Sequence, residues 1–184
     1  MQMLVKDIVK ACNGVLLCGD PETVITSVET DSRLIEPGAL FVPIIGQKTD
    51  AHQYIQQTFD KGAVAALTQE HTSMEDSAHC WIYVEQTQDA LQQIATVYRN
   101  QFQVPVVGVT GSVGKTSTRE MIALALSAEK NVMQTKGNSN SQIGLPLTMF
   151  QFEKEHTAAV IEMVSVNLEK WNVWYILHNP ITRW

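Results

Sequence analysis

Residues 4 to 12 repeat apolar positions at helical spacing and run into Gly14, so a short helix stopping there is expected. Val24 to Val28, and Ala39 to Ile45 after the turn signal Glu36-Pro37-Gly38, are short and rich in branched residues, which predicts strands. A helix is expected from about His52 to Lys61, with Gly62 as its C-terminal stop. Val64 to Leu67 and Trp81 to Val84 read as two further strands. Ala90 to Tyr98 places Leu91, Ile94, Ala95 and Tyr98 on one helical face. The pattern predicts an α/β unit over residues 1–101.

The segment Gln101 to Pro105 is a junction, because a proline can stand at the start of a strand, and Val106 to Val109 is the strand it introduces. Later, Ala158 to Glu162 reads as a buried strand ending in a carboxylate, and in open α/β sheets ligands gather at such carboxyl ends. A second α/β unit with a mostly parallel sheet is therefore expected over residues 102–163. Of the 184 residues, 45% are hydrophobic and 17% charged, the balance of a soluble globular protein. The net charge is −6 with scattered Lys and Arg, which argues against nucleic acid as a partner. Cys12, Cys18 and Cys80 lack metal-ligand spacing and fit free thiols in a reducing compartment. No stretch has the length to span a bilayer, so the sequence reads as a cytoplasmic protein without membrane insertion, expected to be a monomer.

The strongest chemical signal follows Val109. The run TGSVGKTS, Thr110, Gly111, Ser112, Val113, Gly114, Lys115, Thr116 and Ser117, leads from a strand through a glycine-rich turn into a helix starting near Lys115. Gly111 and Gly114 let backbone N–H groups turn toward an anion at a helix N-terminus. Lys115 can reach the β- and γ-phosphates of ATP, and the Thr116 hydroxyl can ligate Mg2+. The strict P-loop spacing puts its first glycine where this chain has Val109, and Gly108 stands one place too early. A kinase or a switch GTPase could share this much of the motif.

That shifted form, TGSVGKTS, resembles the Mur ligase family, and other segments agree in order and spacing. TDSRLIEPGALFVPIIGQKTDAHQYI resembles the family's N-terminal domain, which implies substrate contacts for Ser32, Arg33 and Gly46; on its own, Asp31-Ser32-Arg33 is a surface turn with an internal ion pair. His52, within Asp-Ala-His, is expected to serve the helix start rather than catalysis. TKGNSNSQIGLPLT resembles the GN-x-NN-x-IG-x-P signature of the branch that joins D-alanyl-D-alanine to UDP-N-acetylmuramoyl-tripeptide. Thr135, Asn138 and Asn140 match it, and Ser141 departs from the second asparagine. Asn138 and Asn140 thereby become candidate substrate contacts, and Glu162 resembles the family's Mg2+-binding glutamate; the alternative for Glu162 is a solvated strand end.

The resemblance implies an ATP-dependent amide ligase of cell-wall precursor synthesis, working through an acyl phosphate, with residues 1–101 as the UDP-sugar substrate domain and 102–163 as the start of the ATPase domain. A ligase adding the third amino acid to UDP-N-acetylmuramoyl-dipeptide, and a non-catalytic nucleotide- or UDP-sugar-binding fragment, are the competing readings. From Val164 the sequence holds three of the four tryptophans and lacks the glycine expected after Met163. Restoring one G after the Met163 codon permits the reading GISEFGEMERLVYIAQPDYAV, which resembles the next stretch of the family. Residues 164–184 are accordingly expected to be an out-of-frame tail, and the chain to be truncated and inactive as a ligase, with a strand edge and apolar faces exposed in its second unit. The alternative is a natural C-terminal helix with Trp171, Trp174 and Leu177 on one face.

Overall fold

The computed structural model describes residues 1–163 apart from Ser77 and Asn138. The tail 164–184 and the candidate Asn138 lie outside the described residues. The chain forms two compact units, Met1–Ile94 and one from Ala95 onward, and the division falls inside a helix, α3 (Thr87–Arg99).

The first unit opens with β1 (Met3–Leu4), α1 (Val5–Ala11), β2 (Val15–Cys18), β3 (Val24–Ile25), β4 (Ser27–Glu29) and β5 (Ala39–Phe41). A 3₁₀ turn (Ala51–Tyr54), α2 (Ile55–Asp60), β6 (Ala65–Thr68) and β7 (Cys80–Tyr83) precede α3. Five strands make one sheet in the order β2-β7-β6-β5-β4, parallel except for β2, while β1 and β3 pair separately and antiparallel. Every residue of β5 and β6 is buried, which explains why these strands read as unbroken apolar runs rather than as alternation. Phe41, Ile55, Phe59, Ala63, Ala66 and Trp81 form one core cluster.

Three local expectations change. The run Val24–Val28 is split at Thr26, whose N–H donates to the Gly38 carbonyl and whose hydroxyl donates to Pro37 O, so its two halves join different sheets. The strand from Ala39 ends at Phe41, since Pro43 has no N–H to continue a ladder. The left-handed residue after α1 is Asn13 (φ 49°) rather than Gly14. Gly14 is required for space, because a Cβ there would lie 2.9 Å from the Tyr83 carbonyl oxygen. At the other helix Gly62 does take the expected left-handed stop, φ 107°.

The Asp76 carboxylate organises the approach to β7. Burial pushes its pKa up, but donation from Ala78 N–H, the His79 ring, Trp81 Nε1 and His79 N–H outweighs that and lowers it from 3.8 to about 2. A carboxyl depressed in the folded state contributes stability that is whole above its unfolded pKa and is lost as pH falls through the folded one. Asp76 therefore stabilises the unit above pH 3.8 and loses that contribution as pH falls from there to about 2. Urea midpoints at pH 5 and pH 3 should differ less in Asp76→Asn than in the parent; an equal drop would remove Asp76 as a source of the acid sensitivity.

The second unit contains β8 (Val106–Val109), α4 (Lys115–Leu126), β9 (Val132–Gln134), α5 (Gly144–Met149) and β10 (Ala158–Glu162). Its sheet is parallel in the order β8-β10-β9, and Val109, Ala123 and Val160 pack between helix and sheet. Tyr98 donates its hydroxyl to Phe152 O at 2.8 Å, and Arg99 donates to the Phe102 and Val104 carbonyls, fixing the turn before β8. Among the described residues β8 and β9 each pair only with β10, and Val107, Val113, Met121 and Leu124 are exposed.

Candidate functional site

The register of β10 sets the geometry. Glu162 stands opposite Val109, and Met163 N–H donates to Val109 O, so the strand's last carboxylate lies beside the residue from which the glycine-rich loop departs. Gly111 (φ 149°) and Gly114 (φ 77°) carry that loop through conformations that L side chains avoid, and Gly114 is the N-cap of α4. The exposed first turn of α4 then presents free N–H groups and partial positive charge, worth about 0.3–1 kcal/mol to a nearby anion. The Lys115 ammonium donates to Gly111 O at 2.7 Å, lying back across the loop it is expected to serve.

Around Glu162 three segments converge. Its side chain is only 4% exposed, so a carboxylate here must be satisfied by donors. Thr116 Oγ1 donates to Oε2 at 3.0 Å, Asn140 Nδ2 donates to Oε1 at 2.8 Å, and Arg119 Nη1 stands 3.4 Å from Oε2. The backbone N–H of Glu162 donates to Thr135 Oγ1 at 2.9 Å. The solvated strand end considered for Glu162 is thereby excluded. Thr116 and Glu162 offer a hydroxyl and a carboxylate, the hard oxygen donors that Mg2+ prefers, already within contact of each other beside the glycine-rich loop; the donor set fits that ion.

Arg119 was not among the sequence candidates, and Thr135 was singled out only as a match to the family signature, without a role. Arg119 falls one turn beyond Thr116 on α4, so helical periodicity from the motif was the signal that could have found it. No comparable spacing links Thr135 to Glu162, which only the sheet brings together.

The candidates in the first unit lie elsewhere on the chain. Residues 31–33 follow β4 and residues 44–46 follow β5; because these neighbouring strands are parallel, both segments leave the same carboxyl edge of the sheet. Arg33 forks onto Asp31, with Nη2 to Oδ2 at 2.6 Å, and the Arg33 side chain is 84% exposed. That contact, before any other, holds the Asp31 carboxyl at about 2. An exposed pair of this kind adds little stability, at most about 1 kcal/mol. Ser32 O accepts from Lys61 Nζ at 2.7 Å, and Gly46 N–H donates to Thr49 O at 2.9 Å.

The helix-start role expected for His52 belongs to Asp50, whose carboxylate accepts His52 N–H at 2.9 Å. The His52 ring is buried and bridges Asp50 Oδ1 at 2.6 Å to Gln69 N–H at 3.3 Å. Asp50, His52 and Glu70 bring ligand atoms within 4.8 Å of one another, but both ring nitrogens are engaged, and the cluster is a brace between the loop and β6.

Residues 109–180 match the Mur ligase middle domain, and residues 24–105 match the domain described as Mur ligase family, catalytic domain. The UDP-N-acetylmuramoyl-tripeptide--D-alanyl-D-alanine ligase of Bacillus subtilis (strain 168) is 39% identical over 160 residues, 86% of this chain and 35% of that protein. The ligase of the same name from Escherichia coli (strain K12) is 38% identical over 137 residues, 74% of this chain and 30% of that protein. Among solved structures, the UDP-N-acetylmuramoylalanyl-D-glutamyl-2,6-diaminopimelate--D-alanyl-D-alanyl ligase from Acinetobacter baumannii superposes with a TM-score of 0.82 at 29% identity, covering 96% of this chain and 39% of that one. MurF ligase from Thermotoga maritima, in complex with ADP, gives 0.68 at 32% identity over 77% of this chain and 32% of that one. The chain thus spans about a third of the length of the relatives it matches. Two family domains matched in succession over residues 24–180, on mostly parallel sheets that superpose on a solved ligase of this kind, show that the chain belongs to the Mur ligase family of ligases.

Proposed function

We propose that this chain is part of a cytoplasmic, monomeric ATP-dependent ligase that joins D-alanyl-D-alanine to UDP-N-acetylmuramoyl-tripeptide through an acyl phosphate. The observation that carries the nucleotide half of this reading is the contact of Thr116 with Glu162, 46 residues apart, beside a glycine-rich loop at a helix N-terminus. The relatives named for that reaction, and the GN-x-N-x-x-IG-x-P run from Gly137 to Pro146, favour it over the ligase that adds the third amino acid.

In this reading the loop from Thr110 to Ser117 wraps ATP phosphates with backbone N–H groups, and Lys115 exchanges the Gly111 carbonyl for phosphate oxygens. Thr116 and Glu162 hold Mg2+, which supplies charge neutralisation on the phosphates. Asn140 keeps Glu162 oriented from one side, and Asn138 and Asn140 serve as substrate contacts. Residues 1–101 bind the UDP-sugar through Ser32, Arg33 and Gly46. The chemistry asks for alignment and charge neutralisation more than for a reactive side chain. The dipeptide site and the adenine pocket are assigned to sequence the relatives carry beyond this match.

ATP-dependent phosphate release with UDP-N-acetylmuramoyl-tripeptide and D-alanyl-D-alanine, run on the 184-residue chain and on a version with one G restored and the downstream gene attached, tests the whole reading. Turnover by the restored protein alone is the expected result. Equal turnover by the short chain would overturn its expected inactivity, and no turnover by either would overturn the ligase assignment. UDP-N-acetylmuramoyl-dipeptide as a preferred substrate would favour the sister ligase.

A further inference from the structure

Arg119 is a buried cation with an incomplete set of partners. Its side chain is 6% exposed, yet Nε has no hydrogen-bond partner. Nη1 reaches the Gly137 carbonyl at 3.3 Å and Glu162 Oε2 at 3.4 Å, and Nη2 reaches Glu120 at 3.2 Å. These contacts are longer than the roughly 2.7–2.9 Å of a well-formed charge-assisted bond. The guanidinium is therefore placed to neutralise Glu162 rather than to clamp it.

The oxygen it faces is also the one taken by Thr116. Both side chains come from successive positions on one face of α4, and both address Oε2, while Asn140 occupies Oε1. A divalent cation bound between Thr116 and Glu162 would meet Arg119 as a like charge across a shared oxygen.

We propose that Arg119 is a positioning residue that acts as a built-in counter-cation: it holds Glu162 compensated when no divalent ion is bound, and it sets the strength of ion binding by competing for Oε2. This inference rests on the reading of Thr116 and Glu162 as metal ligands. The competition has a definite sign. Removing the guanidinium takes away a repulsive charge and leaves a buried carboxylate that only the ion can compensate, so binding tightens.

The test uses the full 184-residue chain and Mn2+ as the probe, with binding read from the loss of the free-ion electron paramagnetic resonance signal and with thermal unfolding at each Mn2+ concentration. Arg119→Met should bind Mn2+ about tenfold more tightly or better, and its unfolding midpoint should rise more with Mn2+ than the parent's does. Arg119→Lys, which keeps the charge, should stay near the parent's affinity. Should Arg119→Met be unfolded without metal, saturating Mn2+ should restore the folded signal. A purely structural arginine predicts something else: lower stability in Arg119→Met with Mn2+ affinity unchanged or weaker, or no rescue by Mn2+, and either result overturns the proposal. Glu162→Gln separates the two layers of the argument. If the parent and Glu162→Gln take up Mn2+ alike, the metal reading and this inference fall together; if Glu162→Gln alone loses Mn2+ while Arg119→Met gains nothing, only the counter-cation falls.

Discussion

Lys115→Met, made in a protein restored to the length of its relatives, should lower ATP-dependent phosphate release by about a hundred- to a thousandfold, the loss typical of removing one preorganised charge from a transferring phosphoryl group. The physical reason lies in the loop. In the proposed reading, backbone N–H groups at the start of α4 supply only partial charges to the phosphates, and Lys115 supplies the full positive charge. Its ammonium, held by Gly111 O at 2.7 Å, lies over the loop, and Lys115 stands outside the buried core of the unit. The unfolding midpoint should accordingly stay within about 0.5 kcal/mol of the parent's equivalent stability, as for other substitutions away from the core. A variant that keeps its turnover would remove Lys115 from the catalytic machinery; one that loses turnover and fold together would show a structural role instead.

The largest effect on stability is expected from Phe41→Ala. Phe41 is fully buried at the end of β5 and packs with Ile55, Phe59, Ala63, Ala66 and Trp81, a cluster that joins α2 to the sheet. Truncation removes the ring's burial and leaves a cavity that the surrounding strands, hydrogen-bonded on both sides, cannot collapse to fill. The cost should be about 3–5 kcal/mol. Against a total of about 5–15 kcal/mol for a typical domain, that is enough to leave a substantial unfolded population. Urea unfolding followed by far-ultraviolet circular dichroism would measure it, with Val107→Ala as the exposed comparison, expected to cost less than about 1 kcal/mol. A loss below that level in Phe41→Ala would mean the cluster relaxes around the gap.

Much of the fold could be read along the chain because β5, β6 and β10 are buried along their whole length. Ala65 to Leu67 and Ala158 to Glu162 are unbroken short runs, and β8 and β10 carry the bounds expected for them. β1 and β2 went unseen: Met3–Leu4 merges into the apolar repeat of α1, and Val15–Cys18 is too exposed and too short to stand out from the helix before it. The helix Gly144–Met149 was hidden by its own Gly and Pro, which read as turn residues.

The site divides in the same way. Local sequence determined the glycine-rich loop, since glycine positions, the lysine and the hydroxyl that follow are set by contacts within one strand, one turn and one helix start. Glu162 could be named from a strand ending in a carboxylate, but its surroundings could not. Whether that carboxylate meets water or three donors depends on β10 lying between β8 and β9, a pairing between residues more than 25 positions apart in the chain. Only the tertiary structure brings Thr116, Arg119 and Asn140 to one carboxylate and Thr135 to the backbone N–H of the same residue, because pairing across the sheet, rather than any neighbouring residue, places the end of β10 among them.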